Sequence, residues 1–401
     1  MDNYEQITPA AELRGRIAGF QESLRQNGVD GALIVQKTDL YYFAATAQQG
    51  WLYVPAAGSP ILMIFKEFDR ALTESALPDI VSLGSPKKIP DIIRERGYQL
   101  PARLGMELDV LPVNLYLQYE SIFKDSTIVD VSTAIRLIRA VKSSYEIQLL
   151  RQAAACADAV STKVPDLLRE GKTEIELAGE LEAYARSLGH QGIVRMRLWG
   201  SELFYGHLMA GPAAAVPSYL ASPTGGAGVN PMIGQGPGFR KIQKHEPVLV
   251  DYVFALNGYL ADHARIFAIG TLPDELIRAH AAMLEIQEQV KKLAVPGAIS
   301  GDIYDHMVAS AERLGYGEWF MGVGERRIRF TGHGVGLELD EFPFLAKGQQ
   351  LPLTAGMIIA LEPKAILPGK GVVGIENTHL VTASGLEPLT KMLDEIVILA
   401  G

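Results

Sequence analysis

Val248-Leu-Val-Asp251-Tyr-Val-Phe-Ala-Leu-Asn257-Gly258-Tyr-Leu-Ala-Asp262-His263 is the stretch whose reading decides the fold. Two apolar runs flank Asn257-Gly258, a dipeptide that tolerates the positive φ angles of a tight hairpin turn. The spacing predicts a strand over Val248 to Ala255 and a returning strand over Tyr259 to Ile269. A hairpin brings Asp251 and Asp262 near each other in apolar surroundings, where an unpaired carboxylate is costly. Such a pair needs a cation, or one member must stay protonated. A solvated strand face, or a salt bridge to Arg265, would account for the same residues without a metal.

Three further segments join this hairpin. His333 lies in Thr331-Gly-His333-Gly-Val-Gly336, where flanking glycines allow close backbone approach. Glu362 closes the apolar run Ile359-Ala-Leu-Glu362-Pro363, and Glu376 sits inside Val373-Gly-Ile-Glu376-Asn-Thr378. Buried glutamates are rare unless paired or metal-bound, although either could face water from an edge strand. Four carboxylates and one imidazole suit Mn²⁺, Co²⁺, Fe²⁺ or Zn²⁺. Their negative charge is enough for two such ions, which together activate water and clamp a carbonyl oxygen.

Around this set, 401 residues suggest two or three domains at roughly 100–200 residues each. The first third alternates helix-like and strand-like segments: a helix over Ala10 to Asn27, then strands near Gly31 to Val35, Leu52 to Val54, Ile61 to Phe65, Arg103 to Leu108 and Ser126 to Val131. That alternation predicts a smaller N-terminal α/β domain, residues 1–142. Ser143 or Ser144 can cap the helix that opens the second domain, residues 143–401. A second helix is expected over Thr173 to Leu188, and a Gly/Pro-rich loop over Gly206 to Gly238. Helices over Asp274 to Leu293 and Gly301 to Leu314 and strands from Phe330 to Leu399 complete an α+β domain with a mostly antiparallel sheet.

Net charge is −9, which disfavours nucleic acid as a partner. No apolar run suggests a signal peptide or a membrane span. Cys156 is the lone cysteine, expected as a core thiol in a reducing compartment, so a cytoplasmic location is the expectation.

The strings VLVD, GHGVGLE, LEP and GIENTHLVT, in that order, resemble the M24 metallopeptidase family, in particular its aminopeptidase P/prolidase branch. So do the spacings: Asp251 and Asp262 lie 11 apart, His333 and Glu362 lie 29 apart, and Glu362 and Glu376 lie 14 apart. The resemblance implies the creatinase-like "pita-bread" fold, with a curved, mostly antiparallel sheet and flanking helices, preceded by a creatinase-N-like domain. It implies two divalent ions, with Asp262 and Glu376 bridging, Asp251 on one ion, and His333 and Glu362 on the other. Glu362 would also be the acid/base. A short peptide or peptide-like substrate, cleavage as an Xaa-Pro dipeptidase or aminopeptidase, and a homodimer are further implications.

Three positions depart from that pattern. Asp340 stands where the branch has a second histidine, and Gly374 where it has an arginine. The loop histidine aligns with Ser218 or Gly234, and no histidine lies between His207 and His245. Losing an oxyanion donor costs on the order of 10²–10³ in rate. His207, the cluster Arg326, Arg327 and Arg329, and Lys364 are the candidate replacements, and Asp340 would favour a cationic or protonated neighbour. The altered donors keep open a hydrolase or lyase acting on a small non-peptide C–N substrate. The intact ligand set disfavours a non-catalytic binding protein.

Overall fold

The computed structural model describes residues 8–219 and 222–401, and the chain divides into two compact units, Met1–Arg139 and Ala140–Gly401. In the first unit the strands are β1 (Gly31–Ile34), β2 (Gly50–Pro55), β3 (Ile61–Ile64), β4 (Ile80–Ser82), β5 (Arg103–Met106) and β6 (Thr127–Asp130). They form one sheet in the order β4-β3-β2-β1-β5-β6. The meander β1-β2-β3 is antiparallel, while β3-β4, β1-β5 and β5-β6 are parallel, each parallel pair joined through a helix-containing crossover. Leu33, Ile61, Met63, Leu104 and Met106 are fully buried in its core, each burial contributing roughly 1.5–3 kcal/mol.

The second unit holds β7 (Gly206–Ala210), β8 (Val248–Leu256), β9 (Tyr259–Ile269), β10 (Phe330–Gly334), β11 (Glu341–Ala346), β12 (Ile358–Leu361), β13 (Lys364–Leu367), β14 (Gly371–Gly374), β15 (Glu376–Thr382), β16 (Gly385–Pro388) and β17 (Val397–Leu399). Its main sheet runs β11-β10-β12-β15-β9-β8-β7, with β16 on β15 and β17 on β9, and β13-β14 forms a separate ribbon. Apart from the β17-β9 pair, the sheet is antiparallel.

Two helices pack on the sheet face that carries even-numbered β9 residues. Leu276, Ala279, Met283, Ile286 and Val290 of helix Asp274–Leu293 recur every three or four residues, as do Ile303, Met307 and Ala311 of helix Ser300–Arg313. These stripes join Ala264, Ile266 and Ala268 in one core. Helix Ser144–Leu167 covers the other face, where Ser161 Oγ lies 2.9 Å from His263 Nδ1 and the Tyr259 hydroxyl donates to Glu146 at 3.1 Å. Its N-terminus is the expected capping box: Ser143 accepts from the Glu146 amide, and Glu146 accepts from the Ser143 amide.

Two expectations need correction. Gly206–Ala210, read as loop, is strand β7, antiparallel to β8. Its short apolar run was hidden by the Gly- and Pro-rich sequence that follows. Cys156 is half-buried on its helix rather than a core thiol. Among the described residues no helix is long and apolar enough to cross a membrane.

Candidate metal and catalytic site

Strand register gathers the site. Asn257 and Gly258 both have positive φ, 52° and 87°, and the hairpin they close pairs Asp251 with Ala264 and Val253 with Asp262. Directly opposed residues point to the same face, so Asp251 and Asp262 are diagonal neighbours on one side. Glu376 opposes Ala264, which adds it to that side, and His207 opposes Asp251 from β7. Ala360 opposes both His333 and Thr378. Since strand side chains alternate with period two, His333 shares a face with Glu376, as does Glu362, two residues beyond Ala360.

All five expected ligands therefore converge, and all are buried. One oxygen each of Asp262 and Glu376 and one ring nitrogen of His333 lie within 4.8 Å of one another. His333 Nε2 stands 3.7 Å from Asp262 Oδ2 and 3.7 Å from Glu376 Oε1. Two carboxylate oxygens and an imidazole nitrogen are donors suited to a divalent cation.

Lys364 occupies the other half of the cluster. Its Nζ donates to Asp251 Oδ2 at 2.8 Å, Glu362 Oε2 at 3.0 Å and Glu376 Oε2 at 2.6 Å. It is one of the largest fully buried side chains of the protein. Lys364, expected from the sequence as a substitute donor to substrate, is instead paired with three carboxylates of the cluster. Its place was signalled by a lysine two residues after Glu362 inside the apolar run Ile358 to Leu367.

Burial and charge crowding set the protonation pattern. Burial raises Asp251, and raises Asp262 far above the carboxylate range with help from Glu376 and Asp251. Burial likewise raises Glu362 to about 7, against the pull of Lys364. For Glu376 burial is outweighed by Lys364 and His333, which hold it down to about 2. Burial opposes charge on His333, yet Asp340, Glu376, Glu362 and Asp262 together raise it well above its usual value. Burial lowers His207. A bound cation would pull the carboxylates back toward their ionised forms.

The cavity over the cluster is lined by His207, Gln235, Phe330, Leu339 and Asp340 among others. Asp340 adopts the left-handed region, φ 62°, and its Oδ1 lies 3.5 Å from His333 Nδ1. His207 Nε2 is 3.3 Å from Gln235 Oε1. Sequence reasoning missed Gln235, which has no strand pattern to mark it. Neither Ser218 nor Gly234 lines this cavity, and Ser218 instead donates to the Gly234 carbonyl. Arg327 and Arg329 stay outside it too, Arg327 donating to the Gly317 carbonyl. The Arg326 side chain is outside the described residues. Arg265 does not pair with the two aspartates. It holds Asp394 at 3.0 Å, Asn377 at 2.9 Å and the Glu376 carbonyl at 3.1 Å, and so braces β15 behind the site.

Comparison with known proteins agrees with this geometry. The pattern of metallopeptidase family M24 matches residues 148–383, and that of the creatinase/prolidase N-terminal domain matches residues 16–141. An Xaa-Pro dipeptidase of Pyrococcus furiosus is 25% identical over 391 residues, covering 96% of this chain and 100% of the relative. An Xaa-Pro dipeptidase of Lactobacillus delbrueckii subsp. lactis is 28% identical over 398 residues, covering 95% and 98%. The solved Xaa-Pro dipeptidase from Bacillus anthracis superposes with a TM-score of 0.82 at 25% identity, covering 96% of this chain and 100% of that one.

Proposed function

Because the chain belongs to metallopeptidase family M24, with its creatinase-like two-domain fold, it is a metal-dependent peptidase, and we propose that it hydrolyses Xaa-Pro bonds in short peptides as a dipeptidase or aminopeptidase. The observation that carries this reading is the convergence of Asp251, Asp262, His333, Glu362 and Glu376 on one sheet face beneath a single cavity. The names of the relatives support the substrate class.

We assign Asp262, His333 and Glu376 as ligands of a divalent ion, with Mn²⁺, Co²⁺, Fe²⁺ or Zn²⁺ matching the oxygen-rich donors. Of the two ion positions that family resemblance implies, the one on the His333 side has donor atoms facing one another, while Lys364 Nζ sits on Asp251, the sole unshared ligand of the other, and also holds Glu376 and Glu362. A bound ion supplies acidified water and a polarised carbonyl. Glu362, raised to about 7, holds or releases a proton near neutral pH and serves as the acid/base. On the side away from the donors His333 Nδ1 faces the Gly334 carbonyl at 3.2 Å and Asp340 Oδ1 at 3.5 Å, and these contacts would orient the ring as ligand histidines usually require. We assign His207, on the strand beside Asp251, as a donor to a substrate carbonyl. A homodimer and a cytoplasmic location belong to the same reading, the latter in keeping with a single cysteine.

The test is release of proline from Gly-Pro, and of the first residue from longer Xaa-Pro peptides, with Mn²⁺ or Co²⁺ supplied. Cleavage of either set is expected. Metal-loaded protein that cleaves neither would shift the reading to a small non-peptide C–N substrate.

A further inference from the structure

We propose that the Lys364 ammonium is a built-in replacement for one of the two cations, so that this peptidase works with a single divalent ion held by Asp262, His333 and Glu376. The inference rests on the metallopeptidase reading above and concerns how many ions the site takes.

Three observations carry it. The first is placement. Nζ lies within 3.0 Å of an oxygen from each of Asp251, Glu362 and Glu376, and so occupies Asp251, the only unshared ligand of the replaced ion, together with one bridging carboxylate and Glu362. An ammonium carries three N–H donors, and these three acceptors match that number. The second observation is access. Lys364 is 2% exposed, so its charge has no route to water without leaving the cluster, and a buried charge stays where it is paired.

The third observation is the space that admits the lysine. Lys364 opens β13 and pairs with Gly374 of β14. A Cβ built on Gly374 would stand 2.4 Å from the Pro363 carbonyl oxygen, 2.7 Å from Lys364 Cα and 3.2 Å from Lys364 Cγ. Gly374 is thus the residue against which the lysine stem lies, and its φ of 147° is one that side-chain-bearing residues seldom adopt. The departure from the family pattern at 374 and the buried cation at 364 are two parts of one local solution. A second divalent ion beside this ammonium would place like charges in contact, and two of the carboxylates that would bind it, Asp251 and Glu376, already have a cation.

The full-length protein, stripped of metal and titrated with Mn²⁺ in a calorimeter, is expected to bind about one equivalent, against about two for Lys364→Met, which keeps the stem and removes the charge. Two equivalents in the wild type, or one in Lys364→Met, would overturn the proposal. Should the variant fail to fold, electron paramagnetic resonance on Mn²⁺-loaded wild type decides alone. An isolated six-line spectrum is expected, and an exchange-coupled pair would overturn the assignment while leaving the peptidase reading intact. Absence of Mn²⁺ binding by the wild type would take both readings down together.

Discussion

At the scale of single residues, Glu362 and Asp340 make the sharpest claims. Glu362→Gln keeps the size and an oxygen donor but has no proton to exchange. Turnover should fall on the order of 10²–10⁴-fold while metal content, measured by elemental mass spectrometry, is retained. Full activity in that variant would remove Glu362 from the acid/base role. Asp340 acts through His333. Burial disfavours charge on that imidazole, and Asp340 is the strongest of the carboxylates that overcome it. A ligand must be deprotonated to bind, so metal uptake has to expel the protons that His333 and Asp262 hold. Apparent Mn²⁺ affinity should therefore rise with pH through neutrality. Asp340→Asn should lower the His333 pKa and reduce the protons released per ion bound, read by calorimetry in buffers of different ionisation heat. His333 and Glu362 were legible because a carboxylate or imidazole at an apolar strand needs a reason, while Asp340 stood out only as a departure from the family pattern. Lys364 was only half legible: its burial was inferable, but its three partners come from strands 113, 2 and 12 residues away.

At the scale of elements, the hairpin read most clearly. Asn257-Gly258 and the alternation around it specified strand pairing, and register followed from the turn. The capping box at Ser143 was equally local. Strand β7 was lost because five residues at the head of a glycine-rich segment carry little periodic signal. Its first residue explains why glycine is there. A Cβ on Gly206 would come within 2.1 Å of the Asp251 carbonyl oxygen and 2.9 Å of Tyr252 Cα. Gly206→Ala must push β7 away from β8 and carry His207 off its place opposite Asp251. We expect a lower Tm, from a loss of about 1–3 kcal/mol, together with reduced kcat/KM. A Tm loss with unchanged kinetics would show that His207 has no part in the reaction.

At the scale of the whole molecule, buried neutral histidines tie stability to pH. His190, His263, His280 and His379 are all buried, and burial lowers each. His379 falls to about 4, with its Nδ1 2.8 Å from the Asn377 carbonyl. Between about 4 and the unfolded value near 6.5, the unfolded chain binds a proton that the folded chain refuses. The stabilisation from a neutral His379 is thus complete above about 6.5 and is lost as pH falls toward 4, by at most about 3 kcal/mol. His379→Gln should flatten the fall of Tm between pH 7 and pH 4 relative to the wild type. An unchanged slope would show that His379 is not the group responsible.

The chain by itself marked Asp251, Asp262, His333 and Glu376 as polar residues on apolar strands, since turn chemistry, capping and hydrophobic period act over a few neighbours. The fold class followed from the resemblance of those strings and spacings to a known family, which the family matches bear out. Only the tertiary structure decided what fills the cage. Whether Asp251 and Glu362 face a metal or an ammonium depends on where a long flexible side chain ends. That endpoint is set by charge and free space contributed from β8, β12, β14 and β15 at once, over separations to which no local pattern responds.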